Sequence, residues 1–131
     1  MRDARDLKFR LRDIDDKILG YEHQRDGRWF YTLKGVNHWF EGFKFLNQVK
    51  YRDQFTGLLD KNGKEIYEGD IVKIKDKELG NFIGEIKYIS CHFVANNKIE
   101  SRSLLSRIIP KICGITVEVV GNIYENPELI K

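Results

Sequence analysis

The chain has 131 residues, of which 41% are hydrophobic, 33% charged and 12% aromatic. This composition excludes a disordered chain, and no apolar run approaches the roughly 20 residues that a membrane-spanning helix needs. The net charge of +3 comes from 23 basic and 20 acidic residues that are interleaved along the chain, which is typical of an ordinary solvated surface rather than of a dedicated nucleic-acid-binding domain.

The first part of the chain has the alternation of β-structure. Residues 7–12 alternate apolar and basic side chains, which predicts a half-buried strand. Residues 17–21 are expected to return as a second strand. The Asp26-Gly27 turn signal then leads into a third strand at residues 28–33, which are rich in aromatic and β-branched side chains.

The next segment is harder to interpret from its pattern. Residues 34–47 contain several aromatic side chains, but Gly35 and Gly42 disfavour a long helix. We therefore expect a loop with one short irregular element, followed by a short strand at residues 48–51.

From residue 54 onward the turn signals are clearer. Asn62-Gly63 is a strong hairpin signal, because the favoured two-residue turn needs positive φ at both central positions. A strand is predicted at residues 71–75, after a break at Gly69-Asp70. Another is predicted at residues 82–90, prolonged past a bend to residue 95, and a closing strand at residues 117–123.

Two short helices are predicted near the end of the chain. In residues 103–109, four apolar side chains share one helical face, and Pro110 can end the helix. Asn126-Pro127 has the pattern of a cap followed by proline at the first helical position, which predicts a single turn at residues 127–130.

The predicted fold class is mainly β, because several short strands are separated by frequent turn signals. We expect a single domain over residues 1–131, built as a small SH3-like barrel or a sandwich. Residues 1–50 would supply the N-terminal strands and the aromatic loop, and residues 51–131 the barrel-like part. The likeness to SH3-like folds comes from the string EGDIVKI at residues 68–74.

Few residues have the spacing of a reaction centre. The oxygen-bearing residues around Gly63 do not follow the EF-hand pattern, since Lys64 stands where a calcium ligand is required. Glu68 and Asp70 flank Gly69. Paired carboxylates can divide acid and base roles, so a hydrolase that uses Glu68 and Asp70 is the second alternative function. The simpler interpretation is that the two carboxylates cap a turn.

The histidines and cysteines also lack the spacing of a metal site. Cys91 and Cys113 are expected to be reduced thiols, and the neighbours Cys91 and His92 would point to opposite faces of a strand. The sequence therefore predicts no catalytic residue, no metal site and no cofactor, and a protein that is not an enzyme.

The first and third predicted strands combine cations with aromatic rings. If the strands are neighbours, rings could stack on bases while basic side chains follow phosphates, which would make a platform for single-stranded nucleic acid. The candidate nucleic-acid-binding residues are Lys8, Arg10, Arg12, Arg28, Trp29 and Tyr31. The alternative is that Trp29 and Tyr31 are core residues and that the basic residues pair with the aspartates of residues 13–16, at about 0–1 kcal/mol for each exposed pair.

Two strings are similar to those of a known family. TGLLDKNGKEIYEGDIVKI at residues 56–74 and VVGNIYENPEL at residues 119–129 resemble the YopX family of small phage and prophage proteins. LKFRLRD at residues 7–13 is similar to the basic start of that family, although Leu11 and Arg12 stand where the family often has alanine and tryptophan.

The resemblance implies a phage or prophage source, the cytoplasm of a host bacterium and a mainly β fold, but no assigned activity. Our leading interpretation is a non-enzymatic binding or assembly module, expected as a homo-oligomer and without a membrane partner. Aromatic residues at 39–45 could cover a sheet edge by pairing with another copy. A nucleic-acid-binding accessory factor is the alternative, and a phage or host protein is a further partner class.

Overall fold

The chain is mainly β, as predicted. A computed structural model describes residues 7–41, 46–78, 80–89, 92–97, 101–103 and 115–130. Apart from two 3-10 turns at Leu46–Gln48 and Pro127–Ile130, the regular elements of these residues are strands. In chain order the strands are β1 Leu7–Arg12, β2 Ile18–Arg25, β3 Arg28–Leu33, β4 Phe40–Glu41, β5 Tyr51–Leu59, β6 Glu65–Tyr67, β7 Asp70–Asp76, β8 Phe82–Ile89, β9 His92–Asn96, β10 Ser101–Ser103 and β11 Ile115–Asn122.

The chain divides into two compact units, Met1–Phe55 and Thr56–Lys131. In the first unit the antiparallel strands follow the order β4-β3-β2-β1-β5. Strand β5 continues past Phe55 into the second unit, where β6 is its neighbour. The other sheet has the order β10-β9-β8-β7-β11. Neither order closes on itself among the described strands, so the sheets are open.

Each unit has its own hydrophobic core. In the first unit the fully buried Leu11 and the buried Tyr31 pack with half-buried side chains of several strands, among them Trp29 and Phe40. Among the described residues of the second unit, eight buried side chains form the core, and Val72, Ile74 and Ile86 are almost completely buried. The alternation at residues 71–75 of β7 therefore buries Val72 and Ile74 in the core, as the pattern predicts.

The Asp26-Gly27 turn adopts the predicted two-residue geometry. Asp26 has φ 52° and Gly27 has φ 78°, and the flanking residues Arg25 and Arg28 are paired across the turn. Positive φ at both central positions is the signature of a type I′ turn, whose twist matches that of the flanking strands. This turn sets the register of the whole β2–β3 hairpin.

The Asn62-Gly63 hairpin forms, but its predicted two-residue geometry is wrong. Gly63 has φ 81°, but Asn62 does not have positive φ. Among the described residues other than glycine, only Asp16 and Asp26 do. The Asp60 amide donates to the Lys64 carbonyl oxygen at 2.8 Å, so three residues lie in the loop. Glycine is needed only at the last of these, which is typical of three-residue hairpins.

Two other predictions need correction or fall outside the described residues. Residues 82–95 do not form one prolonged strand, because Ile89 pairs with His92 and the chain folds back as the β8–β9 hairpin. Ser103 lies in β10, and the rest of the predicted helix 103–109 lies outside the described residues, as do Cys91 and Cys113. The predicted turn at residues 127–130 is confirmed as a 3-10 helix.

The strand edges in the described residues are short or covered. β4, β6 and β10 have two or three residues each. The outer edge of β11 is capped by the 60–64 loop, since Lys61 donates its amide to the Val117 carbonyl oxygen at 2.8 Å. Short and covered edges resist strand-to-strand aggregation. No described helix has the length and apolar character needed to cross a bilayer.

Candidate functional site

Strand register separates the predicted nucleic-acid-binding residues onto opposite faces of the first sheet. Lys8 pairs with His23, and His23 pairs with Phe30, so these three side chains share one face. Trp29 and Tyr31, on either side of Phe30, therefore lie on the other face. The structure does not bring the six predicted residues together as one surface.

The face that carries Trp29 and Tyr31 is the core of the first unit. Tyr31 is only 2% exposed, and Glu22, also buried, accepts hydrogen bonds from Arg52 at 3.1 and 3.5 Å. Burial and the hydrogen bond of the Tyr31 hydroxyl to Glu22 raise the pKa of Tyr31 to about 12. The core interpretation of Trp29 and Tyr31 that the sequence left open is thus the one that the structure supports.

Arg10 and Arg12 are buried rather than exposed, which corrects the predicted basic surface. They are 4% and 7% exposed. Both donate to the buried carboxylate of Asp53, from Arg10 Nε at 3.1 Å and from Arg12 Nε and Nη2 at 2.9 and 2.8 Å. Arg12 also pairs with Asp16 and lies 4.9 Å from the ring centroid of Tyr51. Of the aspartates at residues 13–16, Asp16 is thus the one seen to pair with a strand arginine.

On the same face as Arg10, a lysine lies between aromatic rings. The Nζ atom of Lys8 is 5.9 Å from the ring centroid of Trp39 and 5.6 Å from that of Phe55. Trp39, which precedes β4, is 39% exposed and packs edge-on against His23 at a centroid distance of 5.7 Å. A cation within about 6 Å of a ring is attracted by the ring quadrupole, so Lys8 and the two rings stabilise each other.

Two arginines extend this surface to the end of the β2–β3 hairpin. Arg25 and Arg28 are exposed, face each other across the type I′ turn and share the face of His23 and Phe30. Directly opposed like charges on a sheet are destabilising. We call the surface made by these residues the cation–aromatic face, which consists of Lys8, Arg25, Arg28, His23, Phe30, Trp39 and Phe55. The exposed Glu41, paired with Phe30, adds one acidic residue at its margin.

Part of this surface was within reach of sequence reasoning. The Asp26-Gly27 turn fixes the register of β2 and β3, which places His23, Arg25, Arg28 and Phe30 on one side. The partnership of β1 with β5, and the return of Trp39 over Lys8, depend on contacts between residues that are far apart in sequence. No local pattern signals them.

The paired carboxylates of the alternative hydrolase are placed differently. Asp70 is 3% exposed and accepts a hydrogen bond from the Tyr67 amide at 2.9 Å, while Glu68 is half-buried. Within the described ranges, no group of three or more histidine, cysteine, aspartate or glutamate side chains could hold a metal ion. The hydrogen bond from the Tyr67 amide shows that the Asp70 carboxylate contacts the backbone of its own turn.

Asp60 links residues 56–74 to residues 119–129 within the second unit. Its Oδ1 accepts the amides of Asn62 at 2.8 Å and Lys64 at 2.9 Å, and its Oδ2 accepts the amide of Val119 at 2.9 Å. Burial alone would raise the pKa of Asp60, but these three hydrogen bonds and the nearby Lys64 ammonium outweigh it and hold the pKa below its ordinary value. The carboxylate thus both shapes the hairpin loop and caps the edge of β11.

Gly69 makes a second connection between the strings. It has φ 84°, and its carbonyl oxygen accepts the Ile123 amide at 2.9 Å. A Cβ atom at this position would lie 2.9 Å from the ring of Tyr124, so only glycine leaves room for that ring. Residues 56–74 and 119–129 are therefore two halves of one hydrogen-bonded structure.

Comparisons with known proteins agree with these observations. The family model described as YopX protein matches residues 8–131, which confirms the resemblance drawn from the two strings. The crystal structure of protein EF1440 from Enterococcus faecalis has a similar fold, with a TM-score of 0.54 and 20% sequence identity over 98% of this chain and 100% of that chain. No curated protein matches the chain.

Proposed function

Because the chain belongs to the YopX family, we propose that it is a non-enzymatic binding or assembly module. In this proposal the family strings build the scaffold of the second unit, and the cation–aromatic face of the first unit contacts the ligand. The main support is that residues of the two family strings have structural roles. Asp60 accepts three backbone amides and Gly69 leaves room for the Tyr124 ring, so neither residue needs a substrate to explain its presence.

The proposal includes a phage or prophage origin and a place in the cytoplasm of a host bacterium, as the family resemblance implies. It also includes self-association. The short or covered strand edges favour contact through side chains over the addition of strands from another copy.

The end of the β8–β9 hairpin offers apolar side chains for such a contact. Tyr88 is 54% exposed and Ile89 is 41% exposed. Tyr88 packs edge-on against Phe93 at a centroid distance of 4.9 Å, which holds its ring in a defined position. Rigid, half-exposed aromatic rings are enriched at the centres of protein–protein interfaces.

Sedimentation velocity in the micromolar range tests self-association. We expect the wild-type protein to sediment as a dimer or larger assembly and Tyr88→Ser to shift toward the monomer. Leu59→Ser is the matched control, because Leu59 is 58% exposed in the same unit and lies on β5. A wild-type protein that sediments only as a monomer would remove assembly from the proposal and leave binding to be tested separately.

A further inference from the structure

We propose that the cation–aromatic face binds single-stranded nucleic acid. This inference rests on the proposed function, for which it names the ligand, and it replaces the predicted set of six residues. Of those six, Lys8 and Arg28 belong to the new surface. Arg10 and Arg12 are buried against Asp53 and are left out of it. The rings are supplied by Trp39, Phe30 and Phe55 in place of Trp29 and Tyr31.

The rings provide a stacking platform. Phe55, on β5, and Phe30, on β3, are separated by three strand spacings, which is about 14 Å. Trp39 lies between them over Lys8 and His23 and is 39% exposed. Bases stack on aromatic side chains regardless of sequence, and a platform of this width holds a few nucleotides.

The charges of the face are complementary to a phosphate chain. Lys8 lies beside the rings, and the exposed Arg25 is two residues beyond His23 along β2, about 7 Å away. Arg28, which is also exposed, faces Arg25 across the turn. An anion between these two guanidinium groups would relieve their repulsion, since opposed like charges destabilise a sheet.

The buried arginines beside Lys8 do not add to the charge of the face. Arg10 and Arg12 are balanced by Asp53 and Asp16. The cations that we assign to phosphate contacts are Lys8, Arg25 and Arg28, with Glu41 acting against them at the margin. A single strand releases counterions with a slope of about −0.7 per phosphate contact, so log Kd is expected to rise with log salt concentration with a slope of about 2.

The geometry favours a single strand over a duplex. Stacking requires the flat surfaces of the bases, which a duplex hides within its own base-pair stack. The same surface could otherwise be covered by a second copy of this chain, and the experiment separates the two occupants.

The test is fluorescence anisotropy with a labelled oligothymidine of about 20 nucleotides, titrated at several salt concentrations, with a duplex of equal length as comparison. We expect the single strand to bind more tightly than the duplex. Trp39→Ala should weaken binding about 5-fold to 150-fold, which corresponds to the loss of one stacked base. Leu59→Ala is the control, since it removes an apolar side chain that is 58% exposed and lies outside the face, and it should leave the affinity unchanged.

A charge-removal pair tests the phosphate contacts. Arg25→Gln with Arg28→Gln should lower the salt slope by about 1.4, because two phosphate contacts are lost. Lys75→Gln with Lys87→Gln removes two charges from exposed positions of the second unit and should leave the slope unchanged. Equal effects of both pairs would mean that only net charge matters, and would overturn the assignment to this face.

A third readout reports directly on the ring. The chain has two tryptophans, so Trp29→Phe leaves Trp39 as the only tryptophan, whose emission is separated from that of the tyrosines by selective excitation. Stacking of thymine on Trp39 should quench its fluorescence in step with the anisotropy. Absence of binding to the single strand, or binding without quenching, would overturn the inference. If Trp39→Ala also abolishes self-association in sedimentation, the face is a contact between copies of the chain. That result would support the assembly module and reject nucleic acid as the ligand of this face.

Discussion

Replacing Asp60 by asparagine isolates the bond between the two family strings. The variant keeps Oδ1, which accepts the amides of Asn62 and Lys64, but turns Oδ2 into an NH2 group that faces the Val119 amide. A hydrogen bond to a charged group contributes about 1.5–3 kcal/mol, and two opposed donors add a repulsion. We therefore expect Asp60→Asn to lower the free energy of unfolding of the second unit by about 2–3 kcal/mol at neutral pH.

The pH dependence of this loss has a definite sign. The pKa of Asp60 is held below its ordinary value of 3.8 in the folded protein, so its contribution is complete above that value and is lost as the pH falls through the folded-state pKa. The difference between the wild type and Asp60→Asn should consequently be constant near neutral pH and shrink below about pH 4.

Urea unfolding is followed by far-UV circular dichroism, because both tryptophans lie in the first unit whereas Asp60 lies in the second. Hydrogen exchange of the Val119 amide gives a local readout and should become faster in the variant. Asp13→Asn is the control. Asp13 Oδ1 accepts two local amides, those of Asp15 and Lys17, in the same pattern, and the variant should change stability by less than about 0.5 kcal/mol. Unchanged stability and unchanged Val119 exchange in Asp60→Asn would refute the reasoning.

Three further substitutions test the interior of both units by urea unfolding. Asp53→Asn leaves two buried guanidinium groups without their shared carboxylate and should cost about 3–5 kcal/mol, whereas a loss below about 1 kcal/mol would show that the charges reach water. Gly69→Ala should cost more than Gly57→Ala, because both have φ near 85° but only the first meets a ring; equal losses would contradict that contact. Tyr31→Phe should cost about 1.5–3 kcal/mol at neutral pH through loss of the bond to Glu22. Its difference from the wild type should fade between pH 10 and pH 12, since the stabilisation by a group with a raised pKa is complete below the unfolded-state pKa and is lost as the pH rises through the folded-state pKa; a constant difference would contradict this.

Hairpins were predictable where the turn alone sets the geometry. Asp26-Gly27 adopts positive φ at both positions, and the β2–β3 register follows from it. Asn62-Gly63 has the stronger local signal but a longer loop. Its geometry is set by Asp60, whose carboxylate binds a strand almost sixty residues away. A turn signal therefore predicts a reversal more reliably than it predicts the number of residues in the loop.

The functional surface shows the opposite situation. The alternation of β1 correctly placed Lys8 and Arg10 on one face, but it could not show that Arg10 would be buried against Asp53. Nor could it show that Trp39 would return over Lys8. The two-residue period of a strand fixes which side chains share a face. The pairing and packing of strands decide whether that face contacts solvent or other side chains.

Local sequence was thus sufficient for the β character, for the reversals at Asp26-Gly27 and Asn62-Gly63 and for the membership of the family, because alternation, backbone φ preference and short sequence strings are properties of a few neighbouring residues. Long-range packing alone assigned the exposed and buried roles of the charged and aromatic side chains. The free energy of a buried arginine or a half-exposed tryptophan depends on partners that the chain brings together only on folding, and these partners are not neighbours in sequence.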